Sequence, residues 1–193
     1  MRIAVLILVL ASLTFLLTCA SQAAELLAVQ AGSLRISLSD TGRMTSFWLY
    51  IGEREILPAG QVPALLTLTV DEQALLPILA SWDETTGTIQ LDYPGGATAA
   101  IKIQQKATHA TFTLERLEGP AVSRAEWGPF PTTLGDSVGE LVCVARDETT
   151  AIGLQGLTLQ INAAASTADY GEACPHGSRL VSWAREHEGG VLG

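Results

Sequence analysis

The chain has 193 residues, of which 48% are hydrophobic and only 16% are charged. Its 20 acidic and 11 basic residues give a formal net charge of −9, and the basic residues form no stripe along the sequence. Such a chain repels phosphate backbones and anionic lipid headgroups, which excludes nucleic acid as an expected partner. The length fits one domain with a hydrophobic core of its own.

The amino end has the parts of a secretory signal peptide. Arg2 is followed by the apolar run Ile3–Leu17 and then by small residues around Ala23 and Ala24. The run is shorter than the roughly 20 apolar residues that a membrane span needs. We therefore expect residues 1–24 to be removed on export, after Ala23 or Ala24, and the protein to be secreted or periplasmic.

The same segment also fits a lipoprotein signal, in which Cys19 would carry the lipid. Leu16–Cys19 has that form, although Thr18 stands where Gly, Ala or Ser is usual. An outer-membrane lipoprotein is the alternative location.

Two further cysteines, Cys143 and Cys174, follow the signal segment. Export permits a disulfide between them, but Cys143 stands in an apolar run where a free thiol packs equally well. Both states stay open. His176 near Cys174 does not complete a metal coordination shell, so no metal or cofactor is expected.

Short runs of alternating apolar and polar residues begin near Leu26, and each ends at turn-forming residues. Three such runs between residues 88 and 116 predict an antiparallel meander with one face on the core. The segment Asp71–Pro77 fits a helix and a strand equally. The runs that predict strands are Leu34–Ser39, Thr45–Ile51, Arg54–Leu57, Leu66–Val70, Thr88–Tyr93, Ile101–Gln104, Thr111–Arg116 and Arg179–Arg185.

Two of these runs make specific predictions about side-chain direction. In the first run, Leu34, Ile36 and Leu38 alternate with Arg35, Ser37 and Ser39. In Thr45–Ile51, the residues Phe47, Leu49 and Ile51 share one face.

We expect the stretch from Glu126 to Asn162 to form the centre of the fold. Within it, Gly139–Arg146 is apolar on both faces, which is typical of a strand in the middle of a sheet. After the turn at Asp147–Thr150, the residues from Leu157 to Ile161 alternate as in a half-buried strand.

No segment has a convincing helical period longer than two turns. About ten to twelve short strands predict an all-β protein, an antiparallel β-sandwich over residues 25–185. We expect residues 186–193 to be a tail or the start of a linker to a further domain.

Carboxylates are the first candidates for chemistry. Glu126, Asp136 and Glu140 flank the segment around Trp127, and glycoside hydrolysis requires a pair of such groups. With 20 acidic residues, some proximity is expected without any catalytic role. His109 falls in a predicted strand, where a lone histidine is more often packed than catalytic. The sequence contains no nucleophile elbow and no phosphate-binding glycine loop, so an enzyme confined to this chain is not expected.

Aromatic side chains are the second candidates. Trp127 precedes Gly128 and Pro129, and Pro131 stiffens the same segment, so the indole is predicted at a rigid rim where it contacts a sugar ring. Asp136 and Glu140 join Trp127 in this predicted carbohydrate site. The alternative for each tryptophan is a place in the sandwich core.

Four segments carry a resemblance to a known group of proteins. In chain order they are Leu57–Gly60, Trp127–Thr133, Val138–Glu140 and Ala151–Leu157. Together they resemble the amino-terminal β-sandwich of large secreted, glycosidase-like bacterial proteins, a module similar to the galactose-mutarotase-type supersandwich. Mutarotase-type enzymes use a histidine and a carboxylate that match no position here, so no catalytic residue is carried over.

The resemblance implies a non-catalytic, carbohydrate-associated module at the front of a longer secreted polysaccharide-processing enzyme. Its expected partners are a carbohydrate or a downstream catalytic domain. Two alternatives stay open: a free-standing exported binding or structural lipoprotein, and a small glycoside hydrolase that uses Asp136 and Glu140.

Overall fold

The computed structural model describes residues 24–138, 143–157, 161–166, 168–169, 172–173 and 179–184. Within these ranges the regular structure consists of strands and one 3-10 turn at Pro94–Gly96, without an α-helix. Every pairing between strands is antiparallel, and the fold is all-β and sandwich-like, as predicted. None of the described residues belongs to a helix with the length and apolarity needed to cross a membrane.

Eighteen strands lie in the described ranges, and thirteen of them have four or more residues. The first nine are β1 (Glu25–Ala31), β2 (Leu34–Ser39), β3 (Met44–Leu49), β4 (Arg54–Glu55), β5 (Leu66–Val70), β6 (Gln73–Leu75), β7 (Leu79–Asp83), β8 (Thr88–Asp92) and β9 (Thr98–Gln105). The others are β10 (Ala110–Glu118), β11 (Arg124–Pro131), β12 (Asp136–Val138), β13 (Cys143–Arg146), β14 (Ala151–Leu154), β15 (Ile161–Ser166), β16 (Ala168–Asp169), β17 (Glu172–Ala173) and β18 (Arg179–Ala184).

The strands form four sheets and one two-stranded ribbon. The first sheet has the order β1-β2-β3-β4, and the meander sheet has the order β10-β9-β8-β7. The central sheet has the order β15-β18-β11-β5-β6, and the small sheet has the order β12-β13-β14, while β16 and β17 form the ribbon.

One hydrophobic core joins these sheets. Val29 and Leu38 enter it from the first sheet, Leu68 from the central sheet and Ile89 and Ile101 from the meander sheet, each without measurable exposure. Burial of inner faces of this kind supplies the dominant favourable term in folding. The small sheet reaches the same core through Ala145.

The meander sheet confirms the antiparallel meander predicted between residues 88 and 116. It also contains a strand that the sequence did not predict, β7, which pairs on one side with β8. In this strand Leu79, Ser81 and Asp83 are exposed, and only Ala80 is fully buried. The alternation of apolar and polar residues is therefore too weak to predict a strand. The ambiguous segment Asp71–Pro77 is resolved as the turn and second strand of the β5–β6 hairpin.

Ser37 and Ser39, the serines that alternate with the apolar residues of β2, are both buried. The Ser39 hydroxyl accepts hydrogen bonds from the backbone N–H groups of Thr41 and Arg43, at 3.4 and 3.3 Å, and shares a 2.9 Å bond with the Thr41 hydroxyl. Buried polar groups are tolerated when they are bonded in this way. In the same turn, the Ala80 N–H donates to the carbonyl of Asp40, so β7 covers the turn.

The prediction that Ile51 shares the buried face of Phe47 and Leu49 is wrong. Strand β3 ends at Leu49, and Ile51 is 63% exposed. The chain turns at once, through Gly52 and Glu53 with φ of 82° and 45°, so the period of two stops before Ile51.

The small sheet agrees in part with the prediction of a central strand over Gly139–Arg146. Strand β13 lies between β12 and β14, and residues 139–142 lie outside the described ranges. Of the strand predicted from Leu157, Leu157 itself is exposed and follows β14, residues 158–160 lie outside the described ranges, and Ile161 belongs to β15.

The Tyr93 side chain connects the meander sheet to the central sheet. Its hydroxyl donates to the Leu66 carbonyl at 3.0 Å in a buried setting. Burial raises the pKa of Tyr93 far above its ordinary value, so the hydroxyl keeps its proton and remains a donor.

We expect Tyr93→Phe to lower the free energy of unfolding by about 1 kcal/mol, because it deletes one buried hydrogen bond. Urea unfolding followed by circular dichroism measures this loss. Tyr50→Phe is the matched control, since Tyr50 is 52% exposed; its effect should stay within about 0.5 kcal/mol. Equal stability of both variants would contradict a structural role for the Tyr93 hydroxyl.

Candidate functional site

A cavity of about 550 Å³ opens where the first, meander, central and small sheets meet. Its volume lies within the range of small-molecule sites, about 300–1,000 Å³. Four aromatic residues line it, each from a long strand: Phe47 of β3, Phe112 of β10, and Trp127 and Phe130 of β11. Aliphatic side chains, among them Ile36, Met44 and Leu65, complete the apolar wall.

The four rings form two pairs in the wall of the cavity. Phe47 and Phe130 meet edge to face, with centroids 6.1 Å apart and ring planes at 73°. Phe112 and Trp127 are also 6.1 Å apart, with planes at 58°. These separations fall in the favourable range for aromatic pairs, so the rings are held in place by one another.

A bulge in β11 explains why Trp127 and Phe130 line the same cavity. Residues three apart in a regular strand point to opposite faces, but the register between β11 and β18 shifts between Trp127 and Phe130. The extra length at Gly128 and Pro129 returns Phe130 to the core side. Both side chains are therefore buried, at 3% and 6% exposure.

The prediction of Trp127 as an exposed rim residue on a loop is wrong. The residue lies inside a strand that is paired on both sides, with β5 and with β18, and it is part of the hydrophobic core. This is the alternative that the sequence left open for every tryptophan. The indole Nε1 is buried and has no hydrogen-bond acceptor among the described residues.

Polar residues stand at the mouth of the cavity. Ser33 comes from the β1–β2 turn, Thr108 and His109 from the β9–β10 turn, and Gln155 follows β14. The Thr108 hydroxyl and the His109 Nδ1 form a hydrogen bond of 3.1 Å. His109 is an exposed turn residue, which corrects its predicted place within a strand; its carbonyl accepts the Lys106 N–H and closes the turn.

The two turns at the mouth are packed closely against each other. Gly32 has a φ of +61°, and a Cβ on it would lie 2.8 Å from the Thr108 carbonyl oxygen. A side chain at this position would force the turns apart, so glycine is required both by conformation and by space.

Asp147 organises the β13–β14 hairpin, whose second strand forms one side of the cavity. Its Oδ1 accepts the N–H groups of Thr149 and Thr150, at 2.9 and 2.8 Å, and its Oδ2 pairs with Arg54. The backbone hydrogen bond from Thr149, followed by the bond from Arg54, lowers the pKa of Asp147 from 3.8 to about 2. The hairpin is thus tied to the β3–β4 end of the first sheet.

A second depression, the polar groove, lies on the outer face of the meander sheet and has a volume of about 620 Å³. Directly opposite residues on paired antiparallel strands share a face. The register places Ser81, Gln90, Ala100 and Arg116 in one row across all four strands. Ala100 is 7% exposed and forms the floor of the groove.

A neighbouring row supplies Asp83 and Lys102, and Glu115 stands at the bulge of β10. The Thr86 hydroxyl donates to Asp83 at 2.8 Å and, as the largest contribution, lowers the pKa of that carboxyl. Lys102 donates to the Thr86 carbonyl. Two carboxylates and two cations therefore line the groove, counting Arg116.

Two of the other predicted site residues lie in described strands. Asp136 begins β12, at the edge of the small sheet, and Cys143 begins β13. Glu140, Cys174 and Cys19 lie outside the described residues, so the predicted sugar contact of Asp136 and Glu140, the disulfide and the lipid anchor stay predictions. Within the described ranges no three His, Cys, Asp or Glu side chains are grouped so as to hold a metal ion.

Comparisons of the chain with protein-family models, with curated proteins and with solved structures found no match.

We expect acid to remove the stabilisation that Asp147 provides. A carboxyl with a lowered pKa contributes fully above its ordinary value of 3.8, and the contribution is lost as the pH falls towards about 2. The free energy of unfolding of Asp147→Asn should therefore be lower than that of the natural chain at pH 6, and the gap should close between pH 4 and about 2.

The matched control is Glu148→Gln, which removes the same charge from the exposed neighbouring residue. Urea unfolding at a series of pH values measures both variants. The role of the Asp147 carboxylate would be contradicted if the difference in free energy of unfolding between Asp147→Asn and the natural chain did not depend on pH. The same difference in Glu148→Gln would also contradict it.

We also expect Trp127→Ala to act on stability, because the indole is part of the core. The loss of a buried tryptophan should lower the free energy of unfolding by about 3–5 kcal/mol. Trp48→Ala is the comparison, since Trp48 is only half-buried, and it should cost clearly less. A loss below about 1 kcal/mol for Trp127→Ala would contradict the buried position.

Proposed function

We propose that the chain is a non-catalytic, carbohydrate-associated β-sandwich module that binds a neutral sugar in the polar groove. The observation that carries this proposal is the row of outward-facing polar side chains across the four strands of the meander sheet, with the small Ala100 at its centre. The resemblance to sandwich modules of glycosidase-like proteins agrees with this function.

The chemistry of the groove suits hydroxyl groups. Asp83 and Glu115 offer acceptors, Lys102 and Arg116 offer donors, and the Gln90 amide offers both. Each sugar hydroxyl is itself a donor and an acceptor, so neighbouring hydroxyls can bond to neighbouring side chains of opposite kind.

The charge balance of the groove favours a neutral ligand. Its two carboxylates and two cations cancel, although the chain as a whole has a net charge of −9. A groove for an anion or a cation would carry an excess of the opposite charge.

Part of the groove is held in place before any ligand binds. Asp83 also accepts the Thr85 N–H at 2.9 Å, and Lys102 is tied to the β7–β8 turn through Thr86. Preordered groups lose less entropy on binding. Trp82 is half-buried: it packs against the core and also lines the groove, where the polar side chains would supply the hydrogen bonds to the sugar.

A panel of neutral oligosaccharides tests this proposal, first on a glycan array and then by titration calorimetry. We expect Gln90→Ala to weaken binding of the selected sugar about five- to tenfold, because it removes the one amide of the groove. Ala100→Gln should abolish binding by filling the floor.

The matched control is Gln104→Ala, which makes the same change at an exposed glutamine on β9 outside the groove. It should leave the affinity unchanged. Absence of binding to every neutral glycan, or equal affinities of Gln90→Ala and the natural chain, would overturn the proposed function.

A further inference from the structure

We propose that the apolar cavity is a second binding site, which takes a small molecule with a hydrocarbon body and one neutral polar end-group. This inference does not depend on the polar groove or on sugar binding. It rests on the apolar wall of the cavity and on the polar residues at its mouth.

The buried side chains of the cavity wall favour a ligand with a hydrocarbon body. Met44, Phe47 and Leu65 are exposed by 2%, 4% and 1%, and they offer a ligand only apolar surface. Each CH₂ group of a ligand that moves from water to such a wall contributes about 0.8 kcal/mol to the free energy of binding. A sugar would instead leave several hydroxyl groups buried without partners, at about 1–3 kcal/mol each.

The mouth of the cavity calls for a polar end-group. Thr108, His109 and Gln155 provide hydroxyl, imidazole and amide groups at the surface. The described residues that line the cavity include neither lysine nor arginine, and the chain as a whole is acidic. These features favour an uncharged end-group, such as a hydroxyl, over a carboxylate.

Trp127 provides a reporter for a bound ligand. A buried indole N–H usually has a hydrogen-bond acceptor, and the described residues provide none for Nε1. Because this ring lines the cavity, a molecule bound beside it changes the surroundings of the indole. The same ring is therefore a reporter for binding.

The test uses 1-decanol as the probe, with decanoate as the charged comparison at pH 8. Binding is measured by calorimetry and by the chemical shift of the Trp127 indole N–H in the natural chain. We expect 1-decanol to shift this resonance and to bind at least fivefold more tightly than decanoate.

Ala110→Phe is the blocking variant. Ala110 lines the cavity on the same face as Phe112, two residues further along β10, so a ring at this position fills the space. We expect at least a tenfold loss of affinity for 1-decanol. Ala74→Phe, on an exposed alanine of β6, is the matched control and should bind as the natural chain does.

If Ala110→Phe fails to fold, the measurements on the natural chain still test the inference. Absence of any shift of the Trp127 N–H with saturating 1-decanol would overturn it. Tighter binding of decanoate, or unchanged affinity in a folded Ala110→Phe, would do the same. Gln90→Ala should keep its affinity for 1-decanol, so failure of the groove and failure of the cavity are separate results.

Discussion

Two pairs of aromatic rings hold three sheets against one another, and the rest of the structure depends on this contact. Phe130 meets Phe47 of the first sheet, and Trp127 meets Phe112 of the meander sheet. Both Trp127 and Phe130 belong to β11, which lies between β18 and β5 in the central sheet. A single strand thus determines where the two neighbouring sheets pack.

The two depressions of the protein share the strand β10, and the bulge in this strand sends its two halves to different depressions. Phe112 points to the core side and lines the cavity, whereas Arg116 belongs to the outer row that lines the polar groove. The bulge between Leu114 and Arg116 shifts the register within the same strand and places Glu115 at the groove. One meander sheet therefore presents an apolar surface on one face and a polar, charge-balanced surface on the other.

The candidate sites were only partly predictable. The sequence pointed to aromatic residues and carboxylates, but it selected Trp127, Asp136 and Glu140 because they are close in sequence. The structure instead gathers Gln90, Lys102 and Arg116 from three strands, and the antiparallel register that aligns them has no signature in any single run. One signal in the sequence was Ala100, a small residue at an outward position between longer polar neighbours. It forms the floor of the groove only because the neighbouring strands place polar side chains on both sides of it.

The sequence by itself determined the all-β architecture, the meander and most of the strand positions, because an alternation of apolar and polar residues is a local property of a half-buried strand. Only the tertiary structure decided the position of Trp127, since the pairing of β11 with β5 and with β18 places this residue in the core instead of at the expected rim. It also decided the burial of Ser39, whose hydroxyl is hydrogen-bonded within the following turn. Likewise it decided the exposure of Ile51, because the strand ends before this residue. The cavity and the groove were likewise decided only by the tertiary structure, because their walls come from strands that are distant in the chain and meet only when the sheets form and pack.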